Sequence, residues 1–124
     1  MRYKDQMGFS LVEVLLAIVL LGILSSLCYP IARNVIEKSK EQLAICFAES
    51  VNAAKSSFWM RNTFAEEEYA QQTTNEGRYN LIKEYLSNNN IPLAHALPEG
   101  FDLIMNGGIR ERVNIVNKKG ENVY

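Results

Sequence analysis

The chain has 124 residues and a formal net charge of −1, enough for one small folded unit and not for two. This charge gives no support for nucleic-acid binding, which requires a basic face. The apolar residues are unevenly spread, because residues 9–29 carry a single charge and residues 31–124 carry nearly all the others.

Residues 9–29 read FSLVEVLLAIVLLGILSSLCY. Their number is close to the ~20 residues that a helix needs to cross the hydrocarbon layer. In lipid the backbone must satisfy its own hydrogen bonds, so a single crossing is a helix. Arg2 and Lys4 precede this segment and favour a cytoplasmic N-terminus, with the C-terminal part on the other side of the membrane.

Three common kinds of apolar N-terminal segment were compared with this one. A secretory signal peptide has an apolar core of roughly 7–15 residues followed by a small-residue cleavage site. The core here is longer and no A-x-A pattern follows it. A lipoprotein signal needs a small residue before the cysteine, whereas Leu27 precedes Cys28. A plain membrane anchor fits the segment except for Glu13.

Glu13 lies four residues after Phe9, inside the apolar segment. An acidic side chain deep in a bilayer costs about 2.5–3.5 kcal/mol, and less near an edge. One interpretation is a tolerated glutamate that reaches the membrane interface or is protonated. The other is a carboxylate that meets a cationic partner on assembly.

The stretch from Gly8 to Leu15, GFSLVEVL, resembles the cleavage and methylation motif of type IV prepilins and type II secretion pseudopilins. The resemblance implies that a membrane-embedded aspartic peptidase cuts after Gly8 and methylates Phe9. It also implies an assembly role for Glu13. Gly22 and Pro30 fall where many members of that family have a glycine and a helix-bending proline.

The resemblance further implies a structural subunit of a type IV pilus-like or type II secretion-like filament, without a cofactor. Its partners would be copies of itself or other pilin-like subunits, the prepilin peptidase and methyltransferase, an inner-membrane assembly platform and membrane lipid. It would be held in the bacterial inner membrane, with its C-terminal domain periplasmic, and then move into an extracytoplasmic filament.

Cleavage after Gly8 would leave the α-amine of Phe9 as a cation at the membrane edge. This amine and Glu13 are four residues apart and share one helical face. In a polymer, the amine of one subunit could meet Glu13 of another, which would offset the cost of burying both charges. We state this pairing as a hypothesis.

Apolar-helix character continues beyond the membrane segment, to about Arg61. Apolar residues there recur mainly in steps of three and four, which is typical of an amphipathic helix. They are Ala32, Val35, Ile36, Leu43, Phe47, Val51, Ala54 and Phe58. Pro30 lacks an N–H, so a kink is expected near it, and Gly22 loosens the stretch before it.

The C-terminal part predicts short helices near residues 64–71 and 76–87, each preceded by capping-box spacing, Thr63-x-x-Glu66 and Thr73-x-x-Glu76. The second helix is expected to end at residues 88–90, and a loop to follow at 91–100. Alternating residues after Phe101, with turns at residues 106–108 and 118–120, predict a three-stranded antiparallel sheet packed on the long helix.

The predicted fold is therefore α+β and pilin-like. Its expected parts are a leader at residues 1–8, a transmembrane helix at 9–29, an amphipathic continuation at 30–61 and a small C-terminal region at 62–124.

No constellation of catalytic residues is evident in the sequence, and we expect no enzyme. His95 has no cysteine or acidic cluster around it, and consecutive glutamates at 66–68 point in different directions on a helix. With Asp102 as the only aspartate after the leader, a carboxylate-rich calcium loop is not expected. Trp59, Phe58 and Phe64 are expected in the core.

The two cysteines are too few for a disulfide framework. On one helix Cys28 and Cys46 would be about 27 Å apart along the axis, and a disulfide needs Cα atoms within roughly 7 Å. We expect both to be small buried hydrophobic residues.

Two alternatives to a filament subunit stay open at this stage. A minor tip subunit could act as a binding module for DNA or an export substrate, with Arg110, Arg112, Lys118 and Lys119 as a weak basic candidate surface. A membrane-anchored periplasmic domain that never polymerises would keep an unprocessed N-terminus.

Overall fold

A computed structural model describes residues 8, 10–87 and 91–124 of the chain. It contains a long helix α1 (Leu11–Arg61), short helices α2 (Ala65–Gln71), α3 (Asn75–Ile82) and α4 (Leu93–Ala96), and strands β1 (Asp102–Ile104) and β2 (Asn114–Val116). The predicted α+β class, with a long N-terminal helix and a small antiparallel sheet, is confirmed. By its contacts the chain divides into two compact units between Glu37 and Lys38.

In the second unit, α1 supplies one wall of the hydrophobic core. Each of its buried residues lies three or four positions from another, which keeps them on one face of the helix. They are Ala44, Ala48, Val51, Ala54, Lys55 and Phe58. Leu43, predicted on this face, is instead 62% exposed. It lies one position, or about 100° of rotation, from Ala44.

The other side of the core comes from the short helices and the region around the sheet. Its largest fully buried members outside α1 are Tyr69, Tyr79, Ile82, Met105, Val113 and Ile115. The ring of Phe47 lies 6.1 Å from that of Tyr79, and the ring of Phe58 meets that of Tyr85 edge-on at 5.9 Å. Alanines at the contact face of α1 leave room for these aromatic side chains.

Lys55 is buried and anchors the loop between β1 and β2 to α1. Its Nζ donates to the carbonyl oxygens of Gly108, at 3.0 Å, and Glu111, at 2.5 Å. The same ammonium lies 5.0 Å from the centroid of the Tyr69 ring. Burial lowers the pKa of Lys55 from 10.5 to about 8, because a charged group loses its hydration there.

The starts of the short helices differ in detail from the predicted capping boxes. At α2 the predicted Thr63-x-x-Glu66 box is wrong, because Asn62 Oδ1 instead accepts from the Phe64 N–H at 3.0 Å. At α3 the cap is Thr74, whose Oγ1 accepts from the Gly77 N–H at 3.0 Å, so that prediction was one residue too early.

Two further boundaries needed correction. The α-helical part of α3 ends at Ile82 and continues as a 3₁₀ turn, Lys83–Tyr85; the predicted end at residues 88–90 lies outside the described residues. The predicted loop at 91–100 contains α4, which begins after Pro92. Proline suits the start of a helix, because the first N–H groups have no partner within it.

The sheet has two strands and not the predicted three. β1 and β2 pair antiparallel, with Leu103 opposite Ile115. The last segment makes only an isolated bridge, Val116 to Asn122, so its ladder is too short to form a strand. The turn predicted at 118–120 is present, with Gly120 at φ +78° and its N–H donating to Asn117 O. Residues 106–108 lie within a longer loop and do not form a tight hairpin.

A matched pair of substitutions tests the packing face of α1. Ala48 is fully buried, so Ala48→Leu should overpack the core and destabilise the fold by about 1–3 kcal/mol. Ala53 is exposed on the same helix, and Ala53→Leu should change stability by less than about 0.5 kcal/mol. Thermal unfolding of the detergent-solubilised chain, followed by circular dichroism, measures both. Equal melting temperatures for the two variants would contradict this packing.

Candidate processing and assembly segment

The start of α1 is organised by Ser10 and Glu13. The Glu13 N–H donates to Ser10 Oγ at 3.2 Å, and the Ser10 N–H donates to Glu13 Oε2 at 3.3 Å. These reciprocal bonds form a capping box, which satisfies two N–H groups that the first turn would leave without a partner. This cap was not predicted, although the Ser10-x-x-Glu13 spacing is its known signature.

Glu13 therefore stabilises the start of its own helix, whatever contact it makes with another chain. A carboxylate can accept several hydrogen bonds, so one bond from the Ser10 N–H leaves capacity for a second donor. Its negative charge also lies at the helix N-terminus, where the helix dipole favours it. The capping box holds the carboxylate beside the helix start.

The helix begins at Leu11, three residues after Gly8. Gly8 is exposed, and a Cβ added to it would meet nothing within 4 Å. Phe9, the predicted methylation site, lies outside the described residues. Gly22 and Pro30 lie further along α1, so the predicted site residues are spread along the helix and not gathered in one cluster.

The apolar part of α1 is uncovered along its length. In its most apolar 18-residue window no residue is buried, and the helix is long and apolar enough to cross a membrane. Among its polar side chains, Ser25 Oγ donates to Leu21 O at 2.7 Å and Ser26 Oγ to Ile23 O at 2.8 Å. Both hydroxyls thus bond to backbone of their own helix, which suits an environment without water.

Helix α1 continues through Pro30, and the kink expected there stays a prediction. A proline at this place removes one hydrogen bond of the helix and weakens it locally. A Cβ added to Gly22 would meet nothing within 4 Å, so close packing within the chain does not require glycine there.

The predicted burial of the cysteines is wrong, because Cys28 and Cys46 are both exposed and free. Cys28 lies on the uncovered apolar part of α1, and Cys46 lies on the outer face of the same helix. For Cys28 the reason is that no other part of the described chain covers this stretch.

The comparison with family models gives one match, over residues 4–29, to the prokaryotic N-terminal methylation motif. The chain carries the prepilin signature. This motif is the signature of type IV prepilins and pseudopilins, and the matched range includes Gly8, Phe9, Glu13 and Gly22 but not Pro30. No curated protein and no solved structure matches the chain. The motif and the apolar helix that contains most of it fit a precursor of the pilin type with a membrane-anchoring N-terminal helix.

Outside the N-terminal segment, the residues considered as possible sites in the sequence contact different neighbours. Glu66 pairs with Arg110 at 2.8 Å, while Glu68 accepts from Asn62 Nδ2 at 2.9 Å, so the glutamate triplet does not converge on one point. His95 lies in the last turn of α4. Within the described ranges, no three His, Cys, Asp or Glu side chains form a group that could hold a metal ion.

Replacement of the capping serine tests the local geometry. Ser10→Ala should weaken the first turn of α1 by about 1 kcal/mol, which corresponds to roughly five-fold faster hydrogen exchange at its amides. Ser25→Ala removes the same hydroxyl from the middle of the helix and serves as the control. The rates are measured on the chain in detergent micelles. Unchanged exchange at the Glu13 amide in Ser10→Ala would show that the cap does not hold the turn.

Proposed function

We propose that this chain is a structural subunit of a type IV pilus-like or type II secretion-like filament, made as a membrane-held precursor. The observation that carries the proposal is the methylation motif at residues 4–29, together with an apolar helix that begins within it and is left unburied by the described residues. Such a helix needs either lipid or other apolar helices around it, and a filament core supplies the second after the membrane has supplied the first.

The proposed cleavage site is compatible with the start of the helix. The described helix begins at Leu11 with Ser10 as its capping residue, so the proposed cut after Gly8 comes before the helix in the sequence. A peptidase acts on extended backbone, and glycine lets that backbone approach closely because it has no side chain. Removing residues 1–8 would leave the capping box intact, since its two members lie after the cut.

The free amine of Phe9 would then supply a cation for a Glu13 carboxylate. In the filament we assign the pairing to neighbouring subunits: the amine of one meets the carboxylate of the next. An unpaired charge in an apolar core is costly, so a subunit displaced along the bundle would be disfavoured. The pair would therefore set the axial register of the filament as well as stabilise it.

The proposal also includes the processing enzyme, the assembly platform and the orientation of the chain in the membrane. Leader removal and methylation require the prepilin peptidase and methyltransferase, and extraction from the bilayer requires an inner-membrane assembly platform. The N-terminus is cytoplasmic and the C-terminal unit periplasmic until assembly. Deleting the subunit and comparing surface fibres with protein secretion separates a pilus from a secretion pseudopilus.

The geometry gives less support to a DNA-binding tip subunit. Arg110 is paired with Glu66 and lies 4.7 Å from the centroid of the Trp59 ring, and Arg112 lies over the ring of Tyr124. These arginines are engaged by aromatic and acidic neighbours of their own chain, which leaves them less available to a nucleic acid.

Mass spectrometry of the membrane-extracted protein tests the processing step. We expect a mature chain that begins at N-methylated Phe9, and we expect Gly8→Val to retain Met1 because a branched side chain blocks close approach of the backbone. Gly22→Ala is the matched control: its added Cβ meets nothing within 4 Å, so processing should be normal. An intact Met1 in the wild-type chain, or cleavage beyond residue 20, would refute the prepilin assignment.

A further inference from the structure

The loop between β1 and β2 is fastened by side chains of other elements on both sides of a short unfastened piece. The Met105 N–H donates to Asn75 Oδ1 at 2.9 Å, and the Met105 carbonyl accepts from the Arg78 guanidinium. Further along, Lys55 Nζ donates to the carbonyl oxygen of Gly108 at 3.0 Å. The two residues between Met105 and Gly108 make no hydrogen bond to any described part of the chain. The backbone is therefore least constrained at these two residues.

The unfastened residues are Asn106 and Gly107, which form the single Asn-Gly pair of the sequence. Asn106 is exposed, Gly107 is half-buried, and both lie outside the helices and strands. Glycine adopts backbone conformations that other residues avoid, because it has no Cβ. The side-chain amide of Asn106 can therefore approach the backbone nitrogen of Gly107 more easily than the nitrogen of a larger residue.

This approach permits a reaction within the chain. The Gly107 nitrogen attacks Cγ of Asn106, a new C–N bond closes a five-membered succinimide ring, and the side-chain nitrogen leaves as ammonia with the proton that Gly107 gives up. Water then opens the ring at one of its two carbonyl carbons. Opening at the side-chain carbonyl gives aspartate, and opening at the main-chain carbonyl gives isoaspartate. Water is consumed and ammonia released, so no oxidant or cofactor is needed.

The other described asparagines are held in conformations that oppose ring closure. In a helix or a ladder the backbone torsion angles are fixed, so the ring can close only after local unfolding. The asparagines in such elements are Asn34, Asn52, Asn75, Asn80, Asn114 and Asn122. Outside them, Asn62 Oδ1 accepts from the Phe64 N–H at 3.0 Å, and Asn117 Oδ1 accepts from the Lys119 N–H at 2.9 Å. Asn106 differs from all of these in both respects.

We infer that Asn106 is a site of spontaneous deamidation in the folded chain, where it is converted to aspartate and isoaspartate. The inference does not depend on the proposed function. One new carboxylate changes the formal net charge of the chain from −1 to −2. Isoaspartate also lengthens the main chain by one methylene between Met105 and Gly108. Since both of these residues are fastened, the added length pulls on the bond from Lys55 to Gly108 and loosens the loop.

Peptide mass spectrometry of the full-length chain in detergent micelles tests this site. The chain is incubated in mildly alkaline water enriched in heavy oxygen, which labels each carboxylate formed during the incubation. Asn106 should convert to two labelled isomers that separate by chromatography. Its rate should exceed those of Asn34 and Asn80 by about ten-fold or more, because a local opening that costs about 1.4 kcal/mol already slows a reaction ten-fold. In the urea-unfolded chain the three rates should lie closer together.

Two neighbouring glycines provide a matched pair of variants. Gly107→Ala should slow the conversion of Asn106 by about three-fold or more, because the added Cβ restricts the backbone. Gly108→Ala keeps the Asn-Gly pair, and its Cβ would meet only Glu111 Oε1 at 3.9 Å, so conversion should match wild type. A Cβ at Gly107 collides with the Glu111 side chain, so melting temperatures are compared as well. If Gly107→Ala does not fold, Asn106→Gln replaces it and should show almost no conversion at position 106.

Three results would overturn the inference. The first is an unmodified Asn106 in the folded chain under conditions in which the unfolded chain converts. The second is conversion of Asn106 no faster than that of Asn34 in the folded chain. The third is equal slowing by Gly107→Ala and Gly108→Ala, which would show that the Asn-Gly pair does not determine the rate. The proposed function is tested separately, by the N-terminus of the extracted protein.

Discussion

An apolar helix that no described part of its own chain buries is the constraint on which the rest of the molecule depends. Among the described residues, none in the most apolar window of α1 is buried, whereas the buried residues of this helix run from Ala44 to Phe58. Apolar surface of this extent is unstable in water, so it must be surrounded by lipid or by equivalent helices. In the proposed function the helix is surrounded by lipid in the membrane and later by equivalent helices in the filament, so its apolar surface is covered at both stages.

Glu13, the acid at the beginning of this helix, is held in place by hydrogen bonds with Ser10. Glu13 completes a capping box with Ser10, so it stabilises the helix start before any assembly. This local role explains how an isolated precursor tolerates a carboxylate beside an apolar stretch, and it fixes where the carboxylate lies. A partner amine would then meet a group already held in place, which reduces the entropy lost on pairing.

Sequence patterns predicted the parts of the structure that depend on local periodicity and failed where packing decides. The end of α1 at Arg61 and the turn at Gly120 were recognisable, because helical spacing and glycine chemistry are local. Phe64 was expected in the core and is exposed, because it lies in the turn before α2, and which side of that turn faces inward depends on distant residues. The buried Lys55 was not anticipated either, since its partners are two backbone carbonyls more than fifty residues away, which no spacing rule reveals. The Ser10–Glu13 cap could have been found from its spacing.

Filament assembly by a Glu13→Gln variant tests most directly whether the Glu13 carboxylate pairs with the amine of a neighbouring subunit. Glutamine keeps an oxygen that can accept from the Ser10 N–H, so the capping box survives, but the negative charge is lost. The account predicts a chain that is cut after Gly8 and methylated like wild type, as mass spectrometry would show, with filament yield reduced about ten-fold or more because the neighbour's amine is left without a counter-charge. A processed Glu13→Gln chain that builds filaments at the wild-type level would contradict it.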